Sequence, residues 1–256
     1  MRDDLDLPVP VPDEVRRVVS LVPSLTEAVA ASAPGLLVGA TDWCTHPADL
    51  DVVRIRGTKN PDLDAIRALA PDLVLANEEE NRPADLAVLR AAGIAVWVTR
   101  VRGLDEAFTA LERMLVLGCR LPAPPWLAAC RAAWAGLPAA APRRAIVPVW
   151  RRPWMVAGRD TFAADVLARF GLTNVFAQHA DRWPKVSVDE LRAAEPDLVV
   201  LPDEPYRFTA EDGPEAFPGL PVALVDGRYL TWYGPSLAAA PAVLAGQLAA
   251  GGRVGG

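Results

Sequence analysis

The sequence predicts an α/β protein built as two Rossmann-like lobes joined by a long helical connector, with a ligand cleft between the lobes. Three observations carry this. Short apolar runs alternate with helical patterns in both halves, as in βαβ units around a parallel sheet. A stretch without strand character separates the halves. One helix-Pro-Asp-strand segment occurs twice: Asp64–Glu79 and Asp189–Glu204 lie 125 residues apart and agree at eight of sixteen positions.

The elements follow in order. Residues 1–15, rich in proline and charge, are expected to be a loose lead-in. The N-terminal lobe spans 16–103. It opens with a buried strand over 17–22 and a helix over 24–33, where Ser24 and Glu27 have capping-box spacing. A strand over 36–41, a helix over 64–70, a strand over 72–76, a helix over 83–92 and a strand over 94–99 complete it. The connector, 104–142, shows apolar spacing of three and four, broken at 122–125. It lacks the Ser and Gly richness of a flexible linker. The C-terminal lobe, 143–256, carries strands over 145–149, 198–201 and 222–225. Its helices fall over 161–170, 188–194 and 237–249.

The 256 residues are 52% hydrophobic with a formal charge of −6. The chain is long enough to bury a sizeable core. Its acidity argues against nucleic-acid binding through phosphate neutralisation. No apolar run approaches the roughly 18 residues of a membrane span. Three cysteines and two histidines are too few for a disulfide framework or a zinc site. Arg2, Asp3, Asp4, Asp6, Asp13 and Glu14 interrupt any apolar leader within residues 1–15. The expectation is a cytoplasmic location as the sequence stands, and a periplasmic or cell-surface one only if the true start lies upstream.

Catalytic patterns are missing. There is no Gly-x-Ser-x-Gly elbow, no phosphate loop and no His-Glu-x-x-His. The sequence therefore reads as a binding protein and not an enzyme. In Trp43-Cys44-Thr45-His46-Pro47, a Cys-His nucleophile pair, an approach of Cys44 or His46 to a ligand's metal, and simple loop packing all stay open. The tryptophans say more: there are eight, and Trp43, Trp150, Trp154, Trp183 and Trp232 fall in expected loops at strand ends, joined by Tyr206, Tyr229 and Tyr233. Trp97 sits inside a strand, while Trp126 and Trp134 belong to the connector and its core. Rings outside the regular core suit a large, flat, partly apolar ligand. Glu78-Glu79-Glu80 and its counterpart Asp203-Glu204 are matched acidic ends that read either as solvated turns or as docking knobs for a basic partner.

Four motifs together resemble a known family: Val18-Val-Ser-Leu-Val-Pro-Ser-Leu-Thr-Glu27, Gly57-Thr-Lys-Asn-Pro-Asp-Leu63, Pro71-Asp-Leu-Val-Leu-Ala-Asn77 and Trp183-Pro-Lys-Val-Ser187. They are similar to the helical-backbone (class III) substrate-binding proteins of ABC importers, most of all the cobalamin-binding ones. The resemblance implies a small-molecule ligand, cobalamin or a similar metal chelate, with no required cofactor, and an ABC permease as a possible partner. It implies ligand contacts at Trp154 and Trp183, then Trp43, Trp97 and Trp232. Tyr206 and Tyr233 extend that aromatic set. Lys59, Asn60, Asn81 and Arg151 are expected to meet polar groups of the ligand, and Glu79, Glu80 and Glu204 to dock the partner. An iron-siderophore or haem binder of the same fold is the alternative, followed by a cytoplasmic enzyme on a similar two-lobed fold.

Overall fold

The computed structural model describes residues 1–251, and they divide into two compact units. The first comprises Met1–Val101, Asp105–Ala129 and Tyr233–Pro235; the second comprises Arg102–Leu104, Cys130–Trp232 and, of the described residues, 236–251.

In the first unit, strands β1 (Val18–Ser20), β2 (Leu37–Ala40), β3 (Val53–Arg54), β6 (Leu73–Asn77) and β7 (Val96–Thr99) form a parallel sheet in the order β3-β2-β1-β6-β7. A small antiparallel hairpin, β4 (Arg56–Gly57) and β5 (Asn60–Pro61), stands beside it. Strands β1, β6 and β7 are buried along their whole length, as a sheet covered on both faces requires. Helices α1 (Pro23–Ser32), α2 (Leu63–Ala68) and α3 (Pro83–Ala91) connect the strands. The expected capping box at Ser24 does not form. Helix α1 starts one residue earlier on Pro23, with Val22 at the cap position, so Ser24 and Glu27 lie buried inside the helix. Proline suits the first helical position because its missing N–H would be unpaired there anyway.

The lead-in is not loose. Asp3 is buried, and its carboxylate accepts hydrogen bonds from Leu5 N and Leu7 N at 3.0 and 2.9 Å. Asp4 N donates to Val98 O at 3.2 Å, Arg113 pairs with Asp4, and Val9 is buried. The charges that read as solvated in the sequence are the anchors that fix residues 1–9 to strand β7.

Helix α4 (Leu104–Arg113) runs into a π-helical turn, Met114–Gly118, and helix α5 (Pro125–Ala135) follows. The unit boundary falls inside α5, between Ala129 and Cys130. Trp126 Nε1 donates to Ser32 Oγ at 3.0 Å and Trp134 Nε1 to Leu237 O at 2.9 Å, so both indoles serve packing.

The second unit carries a parallel sheet of β8 (Arg143–Ile146), β11 (Leu172–Asn174), β12 (Leu198–Pro202) and β13 (Val222–Val225), ordered β11-β8-β12-β13. The single strand expected over 145–149 is divided. The chain leaves β8 at Ile146 and forms an antiparallel hairpin, β9 (Pro148–Arg151) and β10 (Trp154–Val156). Helices α6 (Phe162–Ala168), α7 (Val188–Ala193), α8 (Gly227–Thr231) and α9 (Ala240–Gly251) complete the unit.

The sequence repeat is also a structural repeat. Asp72 Oδ2 accepts from Arg16 N and Arg17 N at 2.8 and 2.9 Å, and Asp197 Oδ2 accepts from Arg144 N at 2.7 Å. The Arg17 side chain donates to Leu69 O, and that of Arg144 to Ala194 O, 125 residues on. Ala70 and Glu195, each just before the proline, both have positive φ, 43° and 47°. Asp62 caps α2 through Ala65 N, and Ser187 caps α7 through Glu190 N, again 125 residues apart. Ser187 and Glu190 form a full capping box, with Ser187 N donating to Glu190 Oε2 at 2.7 Å.

Candidate functional site

In open α/β sheets, ligands bind outside the carboxyl ends of the strands, where strand order reverses. In the first unit that point lies between β1 and β6, after Ser20 and Asn77. The residues there are polar and tightly bonded. Asn77 Nδ2 donates to Thr99 O at 3.0 Å, and Asn77 Oδ1 accepts from Glu79 N at 2.8 Å and Glu80 N at 3.2 Å. Asn81 Oδ1 accepts from Asn77 N at 2.9 Å, while its Nδ2 donates to Thr58 O at 3.0 Å and Leu21 O at 3.4 Å. Lys59 Nζ donates to Glu79 O. The acidic turn is thus shaped by two asparagines and a lysine.

These bonds correct two of the expected ligand contacts. Asn81 is buried with its amide engaged on both sides, so it builds the edge and does not face a ligand. Trp97 is 0% exposed, with Gly118 against its ring: a Cβ on Gly118 would lie 3.2 Å from Trp97 Cε3. A mid-strand indole with no exposed surface is core. Thr99 carries no mark in the sequence, and Asn77 appears there only as the end of a family motif. An asparagine and a threonine ending buried strands were the available signal.

Trp43 is 65% exposed, and its Nε1 lies near Gly57 in the β4–β5 hairpin, whose tip carries the exposed Lys59 and Asn60. Cys44 is buried, its Sγ 3.0 Å from Thr26 Oγ1 and 3.1 Å from Thr41 Oγ1. Burial raises its thiol pKa, with both hydroxyls opposing. It is a packed thiol held between two hydroxyls. Among the described residues, no group of three or more His, Cys, Asp or Glu side chains is placed to hold a metal ion.

Tyr233 is buried in this unit. Desolvation raises its phenol pKa, and hydrogen bonds with Thr99 and Ser24 oppose that rise. A Cβ on Gly234 beside it would lie 3.0 Å from Ser24 O, so a side chain there would crowd helix α1. Tyr233 is therefore bonded to the carboxyl edge at Thr99 and Ser24. Crowding also raises the Glu80 carboxyl, with the Lys59 charge opposing, although the residue as a whole is exposed.

In the second unit the reversal lies between β8 and β12. Here the edge is aromatic. Trp154 stacks with Phe208 (5.9 Å, 9° between planes) and meets Phe217 edge-on at 5.5 Å. Tyr206 tilts against Phe208 at 4.7 Å, and Trp150 stands edge-on to Tyr206 at 5.6 Å and 79°. Trp150 is 42% exposed, while Phe208 and Phe217 are buried. Trp183 is half-buried on the segment that runs beside β10, where Val156 N donates to Pro184 O at 3.1 Å.

Arg151, expected to meet the ligand, is committed elsewhere. It pairs with Asp212 and Glu215 and places its guanidinium 5.4 Å from the Trp154 ring centroid. Desolvation pushes the Glu215 carboxyl up, but the Gly213 N–H and Arg151 outweigh it and hold the group below its ordinary value. Trp232 is buried, with the Arg228 guanidinium 6.0 Å from its ring. Glu204 ends the second copy of the repeat as Glu79 ends the first, and its chain packs on Gly227.

This architecture defines a class before any single protein: it is the fold of the class III substrate-binding proteins. No family model matches the chain. It is 25% identical over 249 residues to the vitamin B12-binding protein of Pectobacterium carotovorum subsp. carotovorum, covering 92% of this chain and 89% of that protein. Among solved structures it is similar to the periplasmic vitamin B12 binding protein of Vibrio cholerae, with TM-score 0.72, 20% identity, and 95% and 100% of the two chains covered. It is also similar to a periplasmic heme-binding protein from Roseiflexus sp. RS-1, with TM-score 0.74, 22% identity, and 93% and 100% covered.

These likenesses overturn the expected cytoplasmic location. The Vibrio and Roseiflexus proteins of this fold are periplasmic. The physical reason lies in residues 1–9. The Asp3 and Asp4 carboxylates are spent on packing in the folded first unit, so their charge is no argument for a cytoplasmic chain. Among the described residues, no helix is long and apolar enough to cross a membrane.

Proposed function

We propose that the protein binds cobalamin or a related corrinoid without turnover and delivers it to an ABC permease. The likeness to the Pectobacterium vitamin B12-binding protein along nearly the whole chain carries the reading. The aromatic edge of the second unit suits it, because a corrin presents a wide, flat, partly apolar ring that stacked indoles cover at little entropic cost. Trp43, Trp154, Trp183 and Tyr206 are the aromatic contacts in this reading. Lys59 and Asn60, exposed at a hairpin tip, supply polar contacts for the ligand's side chains. Glu79, Glu80 and Glu204 are the docking residues for the permease.

A second reading, haem, is favoured by the likeness to the Roseiflexus protein. An absorbance titration with cyanocobalamin, haemin and a ferric siderophore separates the two. Saturable one-to-one binding of cyanocobalamin, tighter than that of haemin, is the expected result. Saturation by haemin alone selects the second reading. Replacing Glu79 and Glu204 together by Arg should stop uptake and leave the titration unchanged.

A further inference from the structure

The exposed tryptophan of the second unit has a built support. Strand β8 leads through Val147 into the β9–β10 hairpin, which carries Trp150 and Arg151, and β12 leads through Asp203–Pro205 to Tyr206. Trp150 and Tyr206 thus come from the two loops that flank the reversal of strand order. Along β9, Val149 is buried and Trp150 is 42% exposed. The Arg151 side chain is 16% exposed. Alternation along the strand therefore turns Trp150 outward.

What fixes Trp150 there is a relay. Arg151 pairs with Asp212 through one guanidinium nitrogen and with Glu215 through another. Asp212 uses its other oxygen to accept the Tyr206 hydroxyl at 2.6 Å. Thr209 Oγ1 accepts from Glu211 N and Asp212 N, and Gly213 N donates to Glu215 Oε2, so the whole 206–215 loop is tied down. The Tyr206 ring then meets Trp150 at 79°, and Trp150 keeps 42% of its surface exposed.

We propose that Trp150 is a ligand contact whose exposed face receives the flat conjugated ring of a metal chelate, and that Arg151 is a positioning residue that holds this platform through Asp212 and Tyr206. This deepens the reading above and rests on it. Arg151 contributes by geometry: its planar fork engages two carboxylates at once, which a point charge does not reproduce.

The test is an absorbance titration of the full chain with cyanocobalamin and with haemin, with thermal unfolding recorded alongside. Trp150→Ala should weaken binding about tenfold, the loss of one stacked ring, at an unchanged unfolding temperature. Tyr206→Phe, which keeps the ring and removes only the hydroxyl, should weaken it about threefold, as should Arg151→Met. Combining Arg151→Met with Trp150→Ala should bind no more weakly than Trp150→Ala alone, because Arg151 acts through the indole. If Arg151→Met fails to fold, Asp212→Asn interrupts the same relay and takes its place. Additive losses in the double variant overturn the positioning role. Unchanged affinity in Trp150→Ala, with wild-type binding intact, overturns the platform and leaves the functional reading standing. Wild-type protein that binds neither probe overturns the functional reading and the platform with it.

Discussion

The carboxyl edges of the two units grow from the same repeat and end in opposite chemistry. Both copies use a capped helix, a residue of positive φ before proline, and an aspartate that clasps the backbone of the preceding strand. Past the strand the likeness stops. The first unit closes its edge with amides: Asn77 and Asn81 satisfy one another and five backbone groups around them. The second closes its edge with rings, Trp154, Phe208, Phe217, Tyr206 and Trp150, clamped by Arg151. A scaffold held by backbone hydrogen bonds tolerates any loop at the strand ends, and that is where the units have diverged.

That contrast can be broken. The largest effect is expected at Trp154, whose ring packs in the second unit's core. Trp154→Ala should cost about 3 kcal/mol in urea unfolding and weaken ligand binding as well. A loss of affinity at unchanged stability would show that the ring serves only the ligand. On the first edge, Asn81→Ala removes three hydrogen bonds and leaves Asn77 N, Leu21 O and Thr58 O to find other partners. A cost of about 2 kcal/mol is expected, together with faster hydrogen exchange at Asn77 and Glu79. Unaltered exchange would mean that the turn holds its shape without Asn81.

The shared scaffold is sharpened by a paired experiment. Asp72→Ala and Asp197→Ala should each cost about 1–2 kcal/mol and agree within about 0.5 kcal/mol, since each removes the same clasp. A wide gap would show that the repeat is equivalent in shape but not in energy. The smallest effect concerns acid. Hydrogen bonds from the Ser187 backbone and hydroxyl hold the Glu190 carboxyl below its ordinary value of 4.5. A carboxylate depressed on folding contributes fully above the unfolded value, and the contribution is lost as pH falls through the folded one. Ser187→Ala should therefore flatten the pH dependence of the urea midpoint below pH 4.5 and leave its slope near pH 7 unchanged. An identical acid limb in the variant would remove the capping box as its source.

How far the sequence reached can be seen residue by residue. The Asp64–Glu79 and Asp189–Glu204 copies announced both the parallel sheets and the matched acidic ends, because a helix-Pro-Asp-strand run is local chemistry. The exposed aromatics at Trp43 and Trp150 were within reach for the same reason: both lie just past a strand. Trp97 was harder. Its neighbours Val96 and Val98 are buried as it is, and only the approach of Gly118, some twenty residues on, shows that no face is left for a ligand. Arg151 misled because a loop arginine beside tryptophans reads as a polar ligand contact, while its partners Asp212 and Glu215 lie more than sixty residues away.

Period, proline placement and cap spacing act within a few residues, so the sequence by itself determined the α/β class, the repeat and the strand-end position of most candidate side chains. Tertiary structure decided which of those side chains are spent on the protein. Asn81, Arg151 and Tyr233 are each held by groups distant in sequence. Burial and partnership are set by what folding brings alongside, and a polar or aromatic residue at a strand end looks the same in sequence whether it meets a ligand or a neighbour.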